Sequence, residues 1–262
     1  NPLKQVLLIV TIPSIGTPNG AQNTVTPGEQ EALVSYTGDF RFHYLLFLPS
    51  DYGANPNRSW TLIFFHHDSG QRGSDANLVK VHGPPKIVEE DSDFPFIMLS
   101  PQLPLGDISS EQAVVAFAQL LGNVVKNYAV DDRRIYMTGL SMGGYNAWAL
   151  AHFLPPIFAA LAPIAAGYLD FVAAECKVRD VPIWVFNGGR DTAVPFEYGE
   201  RMVNEMRGCG ADIRFTAYED ANHVQTWERA YGDPEFYDWL LSHQLPLASP
   251  VTDQTWGQIK AR

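Results

Sequence analysis

The sequence predicts an α/β protein built on a mostly parallel sheet with helices on both faces. Three observations carry this. Unbroken apolar runs such as "WTLIFFHH" (residues 60–67) and "FPFIMLSP" (94–101) suit strands buried on both sides. Between such runs lie segments with helical period. The two kinds alternate along most of the chain, which is the pattern of parallel strands joined by crossover helices.

Residues 6–12, "VLLIVTI", are apolar but too short to span a bilayer. They read as a signal-peptide remnant or an N-terminal strand, and the strand is preferred. Residues 13–30 are rich in Pro, Gly, Thr and Asn and read as an irregular lead-in. The division is therefore 1–30 as lead-in and 31–262 as one α/β domain. "EALVSY" and "FRFHYLLFLP" are strands joined by the turn "TGD", and "DYGANPNRS" is a polar loop. Residues 109–128 form a helix, with Val114, Phe117, Leu120, Leu121, Val124 and Val125 on one face and Ser109 or Ser110 as its cap. "RIYMTGL" is a strand and "MGGYNAWALAHF" a helix. "FAALAPIAA" fits either period, and its place in the alternation favours a strand. "VPIWVFNG" is a strand, "FEYGERMVNEMRGCG" a helix with glycine at its end, and "DIRFTAY" a strand. "PEFYDWLLSH" is a final helix with proline in its first turn.

The chain has 262 residues, 46% of them hydrophobic, enough for a large single core. Its net charge of -11 disfavours nucleic acid and anionic membrane surfaces as partners. Cys176 and Cys209 fit no metal spacing. Two buried thiols are the preferred reading and a single disulfide the alternative.

One stretch carries chemistry. In "IYMTGLSMGGYNAWALA", residues 135–151, a buried strand ends at Gly139 and a helix begins near Met142. Gly139-Leu140-Ser141-Met142-Gly143 is thus a G-x-S-x-G elbow in its strand–turn–helix setting. Flanking side chains would collide with the adjacent strand and helix, which is why glycines stand there. The helix start aims its free amides at a developing oxyanion. A serine hydroxyl needs a base. In this arrangement an acid and then a histidine follow the serine. Of the seven histidines, His152, His223 and His243 follow it. His152 is about three turns along the helix from the active end, and His243 ends the last helix at the surface. His223 lies in a loop after the strand "DIRFTAY", at the carboxyl end of the sheet. Asp191 follows the strand "VPIWVFNG" and suits the acid that orients the imidazole. One oxyanion amide is that of Met142; the other belongs to the loop after "WTLIFFHH".

The segments "LIFFHHDSGQRGSD", "GLSMGG", "VFNGGRDTAVP" and "ANHVQTWERAYGDPEFYDWLLSH" occur in that order. They resemble the compact bacterial α/β-hydrolase esterases, the phospholipase/carboxylesterase and polyhydroxybutyrate-depolymerase-like group that borders the feruloyl esterases. The resemblance covers roughly residues 31–243. It implies an α/β-hydrolase fold and a serine carboxylesterase working without metal or other cofactor. It implies the triad Ser141, Asp191 and His223, with oxyanion amides from Ser69 and Met142. One position departs from the pattern: Asp68 stands where the group has glycine. A carboxylate turned toward the hole would oppose an oxyanion; one bonded to a nearby amide is harmless. Arg72 is either its ionic partner or a brace for the loop.

Only the short segment "GYLDFVAAECKVRD" (167–180) separates the sixth and seventh strands, so no large cap domain fits and the site is expected to be open. Trp227 and Leu140 are candidate substrate contacts, with core packing as the alternative for Trp227. Leu103 and Phe171 are candidate acyl-pocket walls. The expected partner is a small or polymer-linked ester, and no basic cluster favours an anionic one. An acyltransferase or a non-catalytic hydrolase-fold binding protein shares these motifs. The start without Met and the resemblance point to a secreted or periplasmic protein, with the cytoplasm as the alternative.

Overall fold

A computed structural model describes residues 25–37, 40–106, 110–154 and 156–247. The residue 6–12 strand, most of the lead-in, the tip of the "TGD" turn and the Ser109 cap fall outside these.

The strands are β1 (Gln30–Thr37), β2 (Phe40–Phe47), β3 (Trp60–His66), β4 (Ile97–Pro101), β5 (Val130–Leu140), β6 (Ala160–Ile164), β7 (Ile183–Gly188) and β8 (Ile213–Tyr218). The helices are α1 (Gly83–Ile87), α2 (Ser110–Asn127), α3 (Met142–Phe153), α4 (Asp170–Glu175), α5 (Phe196–Gly208), α6 (His223–Gly232) and α7 (Pro234–Ser242). The eight strands of the described residues join one sheet in the order β1-β2-β4-β3-β5-β6-β7-β8. β1 and β2 are antiparallel, β2 also runs against β4, and every pairing from β4 across to β8 is parallel. The expected alternation is met, and "FAALAPIAA" does contain a strand.

Side chains of a strand point alternately to the two faces, and the core divides accordingly. Leu62 and Phe64 of β3 and Ile135 and Met137 of β5 join one cluster with Phe117, Trp148, Val172 and Met202 from α2, α3, α4 and α5. Ile63, Phe65, Tyr136 and Leu140 join the other, with Trp227 and Tyr231 of α6 and Phe236 of α7. The sheet is thus covered on both sides. Because its inner strands carry apolar residues on both faces, the runs in the sequence are continuous rather than alternating. Between β6 and β7 the chain forms only the six-residue α4, so no cap domain enters there. Among the described residues, no helix is long and apolar enough to cross a membrane.

The preferred reading of the cysteines is corrected. Cys176 and Cys209 form a disulfide, with Cα atoms 5.6 Å apart and a sequence separation of 33. Each cysteine ends a helix: Cys176 closes α4 in the left-handed conformation and Cys209 closes α5. Spacing alone carries no sign that two helix ends meet. Cross-linking a loop of this length restricts the unfolded chain. Replacing both cysteines by serine is expected to lower the unfolding free energy by roughly 3 kcal/mol, read from the urea midpoint at unchanged m-value.

Candidate active site

β5 ends at Leu140 and α3 starts at Met142, so the turn is a single residue, Ser141. Its backbone has φ 55 and ψ -120, a conformation that costs an L residue energy and is held only by its surroundings. The Ser141 amide donates to the carbonyl of Ile164 in β6. A Cβ at Gly143 would overlap the carbonyl oxygen of His66, and one at Gly139 would overlap the carbonyl of Gly143. These two glycines let α3 start directly against the ends of β3 and β5, and the close approach turns Ser141 outward.

Two other strand ends supply its neighbours. Asp191 follows β7, and its side chain is fully buried. Asp191 Oδ1 accepts from the amides of Ala193 and Val194 at 2.9 and 2.8 Å. Oδ2 accepts from His223 Nδ1 at 2.6 Å. With that proton on Nδ1, Nε2 is left to accept from Ser141 Oγ at 2.8 Å. A serine, an imidazole and a carboxylate distant in sequence are therefore joined in one hydrogen-bonded line.

His223 is placed differently from expectation. It is the first residue of α6, not part of a loop. Asn222 caps that helix, and the Gln225 side chain returns to the Asn222 amide, forming a capping box. Asn222 and Gln225, three residues apart, were the sequence signal for this start. Trp227, one turn on, is 4% exposed and lies edge-on to the His223 ring, with centroids 4.8 Å apart. It supports the imidazole from behind and lines a separate hollow of about 310 Å³ with His82 and Lys86. The expected substrate contact is thus replaced by core packing. The expectation for Leu140 is also corrected. It is fully buried in the α6-side core, because strand alternation points it away from the surface.

The loop after β3 faces the elbow. Asp68 caps a short 3-10 turn (Ser69–Gln71), and its carboxylate accepts from the Gly70 amide at 2.6 Å. The Gln71 side chain accepts in turn from the Asp68 amide. The carboxylate is therefore turned onto its own loop. Arg72 forms no ion pair with it. Its guanidinium donates to the carbonyls of Pro104 and Gly106, bracing the loop. Three further residues, not singled out from the sequence, hold this loop. His67 Nδ1 donates to the Asp68 carbonyl, while Nε2 accepts from the Leu103 amide. Gln102 donates to the carbonyls of Gln71 and Asp75. Gln71 donates to Leu78. Their polarity within a buried stretch was the available signal, since buried polar groups need partners.

The remaining histidines lie elsewhere. His152 is buried in α3 beside Glu175 and Lys177. His243 is half-buried rather than on the surface, with its ring against Trp239. Leu103 and Phe171 both line an apolar cleft of about 320 Å³ next to the elbow.

Strand order, helix placement and the outward serine at the end of β5 together decide the architecture. The chain has the α/β-hydrolase fold. Residues 104–232 match the Dienelactone hydrolase family. A crystal structure of a thermostable esterase superposes with a TM-score of 0.70 at 27% identity, covering 84% of this chain and 64% of that one. Poly(3-hydroxyalkanoate) depolymerase C of Paucimonas lemoignei is 27% identical over 147 residues, 47% of this chain and 35% of that protein. A putative carboxymethylenebutenolidase of Yersinia pestis is 28% identical over 142 residues, 48% of this chain and 52% of that protein. The chain thus spans between about a third and a half of the length of these two relatives.

His66, at the end of β3 directly under the elbow, is fully buried. Burial, with His67 beside it, lowers its pKa to about 3. In the unfolded chain a histidine titrates near 6.5. Between these values the unfolded state binds more protons, so stability falls as pH falls. Urea unfolding between about pH 6.5 and 3 is expected to show this decline, and His66→Asn should make it shallower. An equal slope in both proteins would remove His66 as its source.

Proposed function

We propose that the protein is a serine carboxylic-ester hydrolase acting through an acyl-enzyme. The observation that carries this is the line Asp191–His223–Ser141, with 2.6 and 2.8 Å steps ending on a serine held in a strained outward turn. Ser141 Oγ attacks the ester carbonyl carbon while His223 Nε2 takes its proton. The buried Asp191 carboxylate stabilises the imidazolium. The oxyanion accepts from the Ser69 and Met142 amides, each at the first position of a helical turn, where backbone donors lack an intrahelical acceptor. Collapse of the intermediate breaks the bond to the alcohol oxygen, which leaves with the proton from His223. Water then repeats the sequence on the acyl-enzyme and restores Ser141.

The similarity to an esterase structure and to a polyhydroxyalkanoate depolymerase supports ester chemistry. The substrate is a small or polymer-linked ester. The disulfide supports a working place outside the reducing cytoplasm, in the periplasm or medium.

Ser141→Ala should lower turnover of a p-nitrophenyl ester roughly a million-fold, as loss of a triad serine does elsewhere. It should also abolish labelling by a fluorophosphonate. Undiminished hydrolysis by this variant would refute the mechanism. Asp68→Ala removes a helical cap and should cost about 1 kcal/mol of stability without raising turnover. A rise in kcat of roughly tenfold or more would show that the carboxylate opposes the oxyanion.

A further inference from the structure

The apolar cleft beside the elbow is walled by α2, α3 and the α4 segment. One end adjoins the site. Tyr145, in its wall, is one turn from Ser141 and donates its amide to the Ser141 carbonyl. Leu103, also in the wall, donates its amide to His67 and accepts from Gly73, so it is bound at both groups to the oxyanion loop. The other end is formed by Phe153 and Phe171. Phe153 lies twelve residues beyond Ser141, about 18 Å along the helix axis.

Among the described residues no charged side chain lines this space. Phe153 and Phe171 are 46% and 37% exposed, yet their rings stack with centroids 5.4 Å apart and 23° between planes. Two large rings held together at a surface leave apolar area that an apolar ligand would cover. Direction decides which half of an ester fits. His223, which must reach the leaving alcohol, begins α6, and α6 packs on one face of the sheet. The cleft residues Phe117 and Leu150 belong to the core on the opposite face. The alcohol therefore sits toward α6 and the acyl group extends away from it, into the cleft.

We infer that this cleft binds the acyl part of the substrate, and that its occupant is an unbranched aliphatic chain running along α3 to the Phe153–Phe171 pair. The inference rests on the ester-hydrolase reading. A volume of about 320 Å³ suits such a chain and would be left mostly to water by an acetyl group.

A series of p-nitrophenyl esters from acetate to palmitate tests this. Each added methylene should raise kcat/KM roughly threefold to fourfold until the cleft is filled. Ala149→Trp, at a half-buried position in the cleft wall, should lower the decanoate-to-acetate ratio of kcat/KM at least tenfold. Phe171→Ser, at the exposed end, should lower the ratio less and only for the longest chains. Binding is read separately by the fluorescence of cis-parinarate, which should bind the Ser141→Ala protein and be lost when Ala149→Trp is added. Hydrolysis of acetate with a flat chain-length series overturns the cleft assignment and leaves the hydrolase standing. So does parinarate binding that neither cleft substitution weakens. Failure to hydrolyse any ester or to take a fluorophosphonate label overturns the hydrolase reading, and the acyl assignment with it.

Discussion

The close approach of Gly143 to the carbonyl of His66 is the constraint on which the site depends. It brings the first turn of α3 against the end of β3, and this leaves only one residue to connect β5 to α3. That residue, Ser141, takes a backbone conformation it would not adopt alone. The same approach sets the amide of Met142 beside the loop that carries Ser69. A side chain at either flanking glycine would push the helix away and lose both consequences together. The strain is local, and the two core clusters above and below the sheet hold it in place.

Around this point the parallel sheet works as a ruler. β5, β7 and β8 end on the same side, so segments that are far apart in sequence deliver Ser141, Asp191 and His223 to one place. Asp191 is oriented by the two amides it accepts from, and His223 by the capping box that starts α6 and by Trp227 behind it. The loop after β3 is held in a comparable way. Polar side chains in and beside it bond its backbone or the neighbouring chain, and the Asp68 carboxylate accepts from the Gly70 amide within the turn.

Much of this was legible in the sequence because it is written locally. A buried strand, a G-x-S-x-G turn and a helix are contiguous, so the elbow could be read at Ser141. Asp191 and His223 could be read because each directly follows a strand-like run. What escaped was of two kinds. Orientation within a buried element was one: Leu140 sits next to the serine in sequence but faces the other side of the sheet, and Trp227 shares a helix with His223 but points inward. Meetings between distant helix ends were the other: nothing near Cys176 announces Cys209. The support of the loop after β3 by His67, Gln71 and Gln102 also depends on partners that only the fold brings near.

The disulfide bears on how the cleft wall moves. α4 has six residues, too few to persist as a helix by its own hydrogen bonds. Left alone, such a segment would open and close locally while the sheet stayed intact, and its amides would exchange with solvent early. The bond joins its end to α5, which packs against β7 and β8. Opening of α4 must then disturb a helix anchored on the sheet. The segment that carries Leu169 and Phe171 therefore draws its persistence from a helix packed on the central sheet.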